Sequence, residues 1–242
     1  MDRIRSFGLK AGTRVGNYRV VKCLGRCCEG EVYKVAEVPT EAIQALKLFR
    51  TDELPSIRHL VHFAWYYEQV RCTGHFPTYY HYGHWFLDDD NGCWFLVFEF
   101  INGRPLKEVI CSYSLVEKET LFFQLAYAVV DIHEHEYAIG DFSTLENVFL
   151  TGKDSIMFID CNPGEPDFPN CDFENDCKDE LIPAAKLIFG ENEPECIKIF
   201  ENKINAIKCF TNHTLTEVLQ KNQPTTTKGE TTWRTQQKKQ KH

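Results

Sequence analysis

The sequence predicts an α+β fold in two parts: an antiparallel β-sheet carrying one helix, followed by a mainly helical portion. Three observations point to it. The first hundred residues hold five short runs rich in β-branched and aromatic residues, broken by turn-forming stretches. One amphipathic run interrupts them. After Asn102-Gly103 the apolar spacing lengthens from two to three or four, the period of a helix. A chain of 242 residues with 43% hydrophobic content fills one large domain or two small lobes.

Residues 18–24 and 31–37 read as strands joined by a glycine-containing loop, and 43–49 as a third strand. A helix is predicted over 56–72. Ser56 would cap it, and Ile57, Leu60, Val61, Ala64 and Trp65 would form its apolar stripe. Strands at 79–86 and 93–100 flank Asp88-Asp89-Asp90-Asn91-Gly92, a strong hairpin signal. Residues 115–136 read as a long helix burying Leu121, Leu125, Ala128 and Ile132. Two short strands follow, 147–150 and 156–159, around a Gly-Lys-Asp turn. Residues 161–178 read as a loop, with three prolines and many acids. Helices are predicted at 180–189, 195–209 and 214–221. The boundaries drawn are 1–102 for the sheet-bearing lobe, 103–223 for the helical lobe and 224–242 for a tail. That tail, PTTTKGETTWRTQQKKQKH, is too polar to bury a core and is predicted to be disordered. It either does nothing specific or docks through Lys238, Lys239 and Lys241.

Composition narrows the function classes. The net charge of −8 argues against a general nucleic-acid binder. No apolar run reaches the roughly 18–20 residues of a membrane span, and residues 1–10 lack the apolar stretch of an export signal. Eleven cysteines, an odd number in a long chain, fit reduced thiols in a cytoplasmic protein better than a disulfide framework. His133-Glu134-His135-Glu136 lacks the spacing of a zinc-binding helix, because residues two apart do not share a face.

One expectation needs only periodicity. Glu68 falls on the predicted apolar stripe, and a carboxylate facing a core needs a partner. Lys47, in the strand before that helix, is the natural one. Otherwise Glu68 lies at the stripe's edge and reaches water.

The segment Leu24-Gly25-Arg26-Cys27-Cys28-Glu29-Gly30-Glu31-Val32 resembles the glycine-rich loop of protein kinases, G-x-G-x-x-G-x-V. Gly25, Gly30 and Val32 match it, and Cys27 stands at the second glycine. Ala45-Leu46-Lys47 resembles the end of the family's V-A-I-K strand. Residues 96–103 are similar to the hinge between kinase lobes. Asp141 and Asn147, with Asp160 thirteen residues beyond, resemble the catalytic-loop Asp and Asn and the metal-binding Asp of D-F-G. These features occur in the family's order across residues 17–190, each on the element type that its role requires.

The resemblance implies a bilobal protein-kinase-like fold with a reduced helical lobe, and ATP and Mg²⁺ as ligands. It implies that Lys47, held by Glu68, grips the phosphates, that Asn147 and Asp160 hold the metal, and that Asp141 is the catalytic base. Val32 and Ala45 would lie above the adenine and Phe149 below. Phe98 would be the gatekeeper, and the Glu99 carbonyl and Ile101 N–H would meet the adenine edge. The implied activity is serine/threonine protein phosphorylation, with a small-molecule hydroxyl as the alternative acceptor and a non-transferring binding module as the alternative function.

Departures are visible too. Ile139-Gly140 replaces the family's His-Arg, and Asp141 and Asn147 are six apart rather than five. The loop cation is replaced by Ser143 or Thr144, Cys161-Asn162 follows Asp160, and no A-P-E is found. Residues 161–178 contain no Ser, Thr or Tyr, which excludes control by phosphorylation within them. Asp176 is the candidate for the buried aspartate that anchors the catalytic loop. The acids Glu165, Asp167, Asp172, Glu174 and Asp176 either attract a basic protein substrate or form a solvated loop. These traits resemble compact, divergent kinases of atypical or bacterial/viral type.

Overall fold

A computed structural model describes residues 6–50, 56–86, 92–152, 155–165 and 167–220, the side chains of 165, 168 and 169 excepted. The predicted tail 224–242 and most of the acidic hairpin turn at 88–92 lie outside the described residues. So do Lys153 and Asp154 of the Gly-Lys-Asp turn.

Strands β1 (Arg14–Val15), β2 (Tyr18–Arg26), β3 (Gly30–Glu37), β4 (Ile43–Phe49), β5 (Tyr79–Phe86) and β6 (Gly92–Glu99) form one antiparallel sheet. Its order is β1-β2-β3-β4-β6-β5. Alternation along these strands separates two faces. Tyr33, Val35, Leu46, Leu48, Phe95 and Val97 point one way, into a small core closed by Phe7, Val15, Tyr18 and Val20. Phe49, Leu96 and Phe98 point the other way and join the large core of the helical lobe. The register places Val32 opposite Lys47, Lys47 opposite Leu96, and Ala45 between Lys34 and Phe98. Val32, Ala45 and Lys47 therefore share the face turned toward the helical lobe.

Glu31 is fully buried on the outer face. It accepts hydrogen bonds from Ser6 Oγ (2.7 Å), from the N–H groups of Phe7 (3.1 Å) and Gly8 (3.3 Å), and from the Tyr33 hydroxyl. Burial alone would push this carboxyl up, but the hydrogen bonds outweigh it and leave its pKa below the ordinary 4.5. One side chain thus straps residues 6–8 across the sheet.

Helix α1 (Ile57–Val70) corrects the predicted stripe. Leu60 and Ala64 are buried, but Ile57, Val61 and Trp65 are about 40% exposed. The buried face instead holds Leu60, Ala64, Tyr66, Tyr67 and Val70. The tyrosines rotate it: Tyr66 buries its ring and donates its hydroxyl to the Ala138 carbonyl (2.8 Å), and Tyr67 packs on Phe98. Ser56 stands at the N-cap without a capping bond; its Oγ meets His59 Nδ1 at 2.8 Å.

Strand β7 (Gly103–Pro105) opens the helical lobe, followed by α2 (Leu106–Val109) and α3 (Leu115–His133). A reciprocal Ser114–Glu117 capping box starts α3, and Leu121, Leu125, Ala128 and Ile132 are all buried. Strands β8 (Val148–Thr151) and β9 (Ile156–Phe158) pair with β7 in the order β7-β8-β9. The segment predicted as a loop after Asp160 contains a small hairpin, β10 (Gly164–Glu165) and β11 (Phe168–Pro169), then α4 (Phe173–Asn175). A π-helical stretch, Asp176–Leu181, runs into α5 (Ile182–Phe189). Helices α6 (Glu195–Asn205) and α7 (Thr214–Gln220) complete the core. No helix among the described residues is long and apolar enough to cross a membrane.

Two outcomes test this packing. A Cβ on Gly30 would meet the Leu48 carbonyl oxygen at 2.0 Å, whereas one on Gly25 meets nothing within 4 Å. Gly30→Ala is expected to lose ~1–3 kcal/mol in urea unfolding and Gly25→Ala well under ~1 kcal/mol. A carboxylate with a depressed folded-state pKa contributes stability that is present above its unfolded value and lost as pH falls through the folded value. Unfolding midpoints followed below pH 4.5 should therefore fall less steeply for Glu31→Gln than for the wild type.

Candidate active site

The cleft lies between the sheet and the loop that follows α3. It has a volume of about 340 Å³, lined by Cys27, Cys28, Glu29 and Phe63 above and behind, and by Asp141, Asp160 and residues 161–163 on the other side. Lys47 reaches it from the inner face of β4, its side chain only 9% exposed. Its Nζ donates to Asp160 Oδ1 (3.1 Å) and Oδ2 (3.0 Å) and to Glu29 Oε2 (2.6 Å). Burial alone would lower this ammonium's pKa. Asp160, then Glu29, outweigh it and hold the group above its ordinary value.

The expected Lys47–Glu68 pair is not formed. Glu68 is exposed on the same helix side as Val61 and Trp65, and its carboxylate meets Arg71 at 3.5 Å. On the side of α1 that faces Lys47 stands Phe63, packed on Phe49, whose ring lies 5.2 Å from Lys47 Nζ. The partner comes from the glycine-loop hairpin instead. Glu29 was not singled out because it lies in a loop where the pattern allows any residue.

The loop carrying Asp141 is built on one buried carboxylate. Asp176 has no exposed surface. It accepts from Ile139 N–H (2.7 Å), Gly140 N–H (2.8 Å) and His133 Nε2 (2.9 Å). The last bond requires the proton on Nε2 of His133. One helical turn on, Glu180 accepts from the N–H groups of Phe142 (2.7 Å) and Ser143 (2.5 Å). The two acids thus anchor the backbone on either side of Asp141. Glu180 was not anticipated; its spacing of four from Asp176 is the signal that could have found it.

Gly140 and Asp141 both have positive φ, +65° and +55°. A Cβ at Gly140 would come within 3.1 Å of Asn162 Cβ, so glycine suits both the turn and the contact. Asp is among the residues that tolerate this conformation. Phe142 is buried against Phe158, which fixes the loop from below. Asn147 Nδ2 donates to the Asp141 carbonyl (2.8 Å) and to Asp141 Oδ2 (3.2 Å). Ile159 N–H donates to the Asn147 carbonyl (3.0 Å), which brings Asp160 beside this pair. Burial first, then the carboxylates of Asp160, Glu180 and Glu29, push the Asp141 carboxyl above its ordinary value, against the Asn147 hydrogen bond.

Lys47, Asp141, Asn147 and Asp160 are therefore brought together. Asn147 turns its amide nitrogen to Asp141, so its oxygen is the atom left for a cation. With the Asp160 carboxylate it makes a two-oxygen donor set, which suits Mg²⁺, an ion that completes its shell with water and phosphate oxygens. Among the described residues no group of three or more His, Cys, Asp or Glu side chains forms a metal cluster.

The remaining predicted residues do not line this 340 Å³ volume. Val32 and Ala45 share the sheet face of Lys47. Phe149 is half-buried on the side of β8 opposite Val148, across from Met157. Phe98 is buried between the rings of Tyr67 and Tyr79. Glu99 closes β6, its carboxylate accepting from Thr78 Oγ1 (3.1 Å) and N–H (3.3 Å), and Ile101 follows in the crossing to β7. Gly25 is exposed on β2; Gly30 is buried at the start of β3. Of the acids after Asp160, Asp167 pairs with Arg58, Asp172 caps α4, Glu174 meets Lys178 at 2.7 Å, and Asp176 is the loop anchor.

No protein-family model and no curated protein matches the sequence. Solved structures do. The kinase domain of Mycobacterium tuberculosis PknI superposes with a TM-score of 0.63 at 16% identity, covering 89% of this chain and 100% of that one. A mutant of the same domain gives 0.64 at 17% identity, covering 89% and 99%. The chain has a protein-kinase-like fold.

The anchor can be tested by stability. Asp176→Ala strands two backbone donors and a histidine in the core, and is expected to cost ~3 kcal/mol or more in denaturant unfolding. Glu180→Ala, at a half-buried position, should cost about 1 kcal/mol. Equal losses would show that Asp176 has no special part in the loop.

Proposed function

We propose that this chain is an ATP-dependent phosphotransferase that moves the γ-phosphoryl group to a hydroxyl, a Ser or Thr of a protein. The observation that carries this reading is the meeting of Lys47, Asp141, Asn147 and Asp160 around one cleft in a kinase-like fold. Lys47 would neutralise and orient the phosphates. Asp160 and Asn147 would hold Mg²⁺, which supplies positive charge to the phosphate oxygens when bound. Asp141 would accept a hydrogen bond from the acceptor hydroxyl, align its oxygen with the phosphorus, and take its proton as the new P–O bond forms and the bond from the γ-phosphorus to the bridging oxygen breaks, with ADP leaving. Val32 and Ala45 above and Phe149 below would sandwich the adenine, with the Glu99 carbonyl and Ile101 N–H along its edge. Gly25 and Gly30 belong to the roof. Glu68 drops out of the set. The carboxylates of Glu29, Asp141 and Asp160 favour a basic stretch beside the accepted hydroxyl.

A second reading is a module that binds nucleotide without transferring from it. Three observations favour it: Cys27 at the second glycine position, no cation in residues 142–146, and two carboxylates on Lys47.

Incubation with labelled ATP and Mg²⁺ separates the readings. Under the first, label is incorporated into the chain or a basic Ser/Thr peptide. Asp141→Ala and Asp160→Ala then each lose about two to four orders of magnitude in rate. Absence of label with an ATP-dependent rise in melting temperature selects the second. Absence of both removes nucleotide from the account.

A further inference from the structure

An ammonium group has three hydrogens to donate. Around Lys47 Nζ stand three carboxylate oxygens, two from Asp160 and one from Glu29, the last the nearest at 2.6 Å. A phosphate oxygen therefore gains a place on Lys47 only as a carboxylate gives one up. Asp160 has an alternative, because it is also the proposed ligand for a divalent cation. Glu29 has only solvent, to which its side chain is 39% exposed: among the described residues its carboxylate hydrogen-bonds Lys47 alone.

Glu29 is also held by its backbone. Arg50 is only 8% exposed; its N–H donates to the Glu29 carbonyl at 2.8 Å, and its guanidinium donates to the carbonyls of Cys27 and Cys28. Cys27 N–H closes the turn onto the Gly30 carbonyl at 3.0 Å. The loop is thereby fixed with its acid over the cleft, while the helix that usually supplies such an acid presents Phe63 there.

We propose that Glu29 is a positioning residue: it holds Lys47 in place from the roof of the cleft and competes with nucleotide phosphates for it, and so sets nucleotide affinity. The control point then belongs to the β2–β3 hairpin and its Arg50 clamp rather than to α1. The proposal rests on the phosphotransferase reading in naming the polyphosphate a nucleotide and in giving Asp160 a divalent cation to hold.

Calorimetry on the full chain with two probes, Mg²⁺-ATP and Mg²⁺-tripolyphosphate, tests it. Glu29→Gln keeps the side chain's size and removes its charge. It is expected to bind both probes about three- to tenfold more tightly than the wild type, and Glu29→Asp to return affinity toward the wild-type value. A general loosening of the loop would not be reversed by the shorter acid. Unchanged or weaker binding of both probes by Glu29→Gln overturns the proposal. If no variant binds ATP but Glu29→Gln still takes tripolyphosphate more tightly, the role of Glu29 stands and the nucleotide reading fails. If neither probe binds to any variant, both fail.

Discussion

The cleft depends on a carboxylate that never meets solvent. Asp176 gathers the N–H groups of Ile139 and Gly140 and the ring of His133, and so determines where the chain leaves α3 and how it enters the turn at Asp141. A charge in that place is stabilised only because three donors converge on it; otherwise its desolvation would be prohibitive. The π-helical stretch that begins at Asp176 brings Glu180 to the following two amides, so one short segment supports the loop on both sides. Asn162 N–H, bonded to the Ile139 carbonyl at 2.8 Å, then ties the segment carrying Asp160, just past β9, to the same anchor. Asp141 and Asp160 are close because both hang from it.

The electrostatics of the cleft follow. Two carboxylates, those of Asp160 and Glu29, hold one ammonium, and Asp141 lines the same cleft, where burial first and then the neighbouring carboxylates raise its proton affinity. Such a site cannot attract a bare polyphosphate; it calls for a cation to travel with it, or for an acid to turn away. Against the expected lysine-and-helix-glutamate arrangement, the counter-charge has moved from α1 to the adjoining hairpin, and an aromatic pair, Phe49 and Phe63, occupies the ground between.

Much of this was legible in the residues. The strands and helices follow from period and turn chemistry, and Lys47, Asp141, Asn147 and Asp160 stood out by order and by the elements on which they fall. Asp176 could be named because the resemblance to protein kinases implies an anchoring acid ahead of that helix. What could not be read came from tertiary context. The face of α1 was misjudged because Tyr66 and Tyr67 count as amphipathic in a pattern, whereas in the core each ring is buried and the Tyr66 hydroxyl has a carbonyl partner. The buried face is rotated by about one residue from the one that period predicts, which turns Glu68 outward and leaves Glu29 as the hairpin acid on Lys47. The hairpin and π-helical stretch after Asp160 are fixed by hydrogen bonds to the loop rather than by local propensity, so composition alone suggested only coil.

Gly30 bears on how glycine-loop motifs are understood. Its lack of a side chain is required by the Leu48 carbonyl across the sheet, within the protein itself, whatever occupies the cleft. Folding alone would keep that position as glycine in a descendant that had abandoned its ligand. The glycine therefore testifies to a close strand crossing, and chemistry has to be inferred from the acids and the lysine, which the sheet does not need.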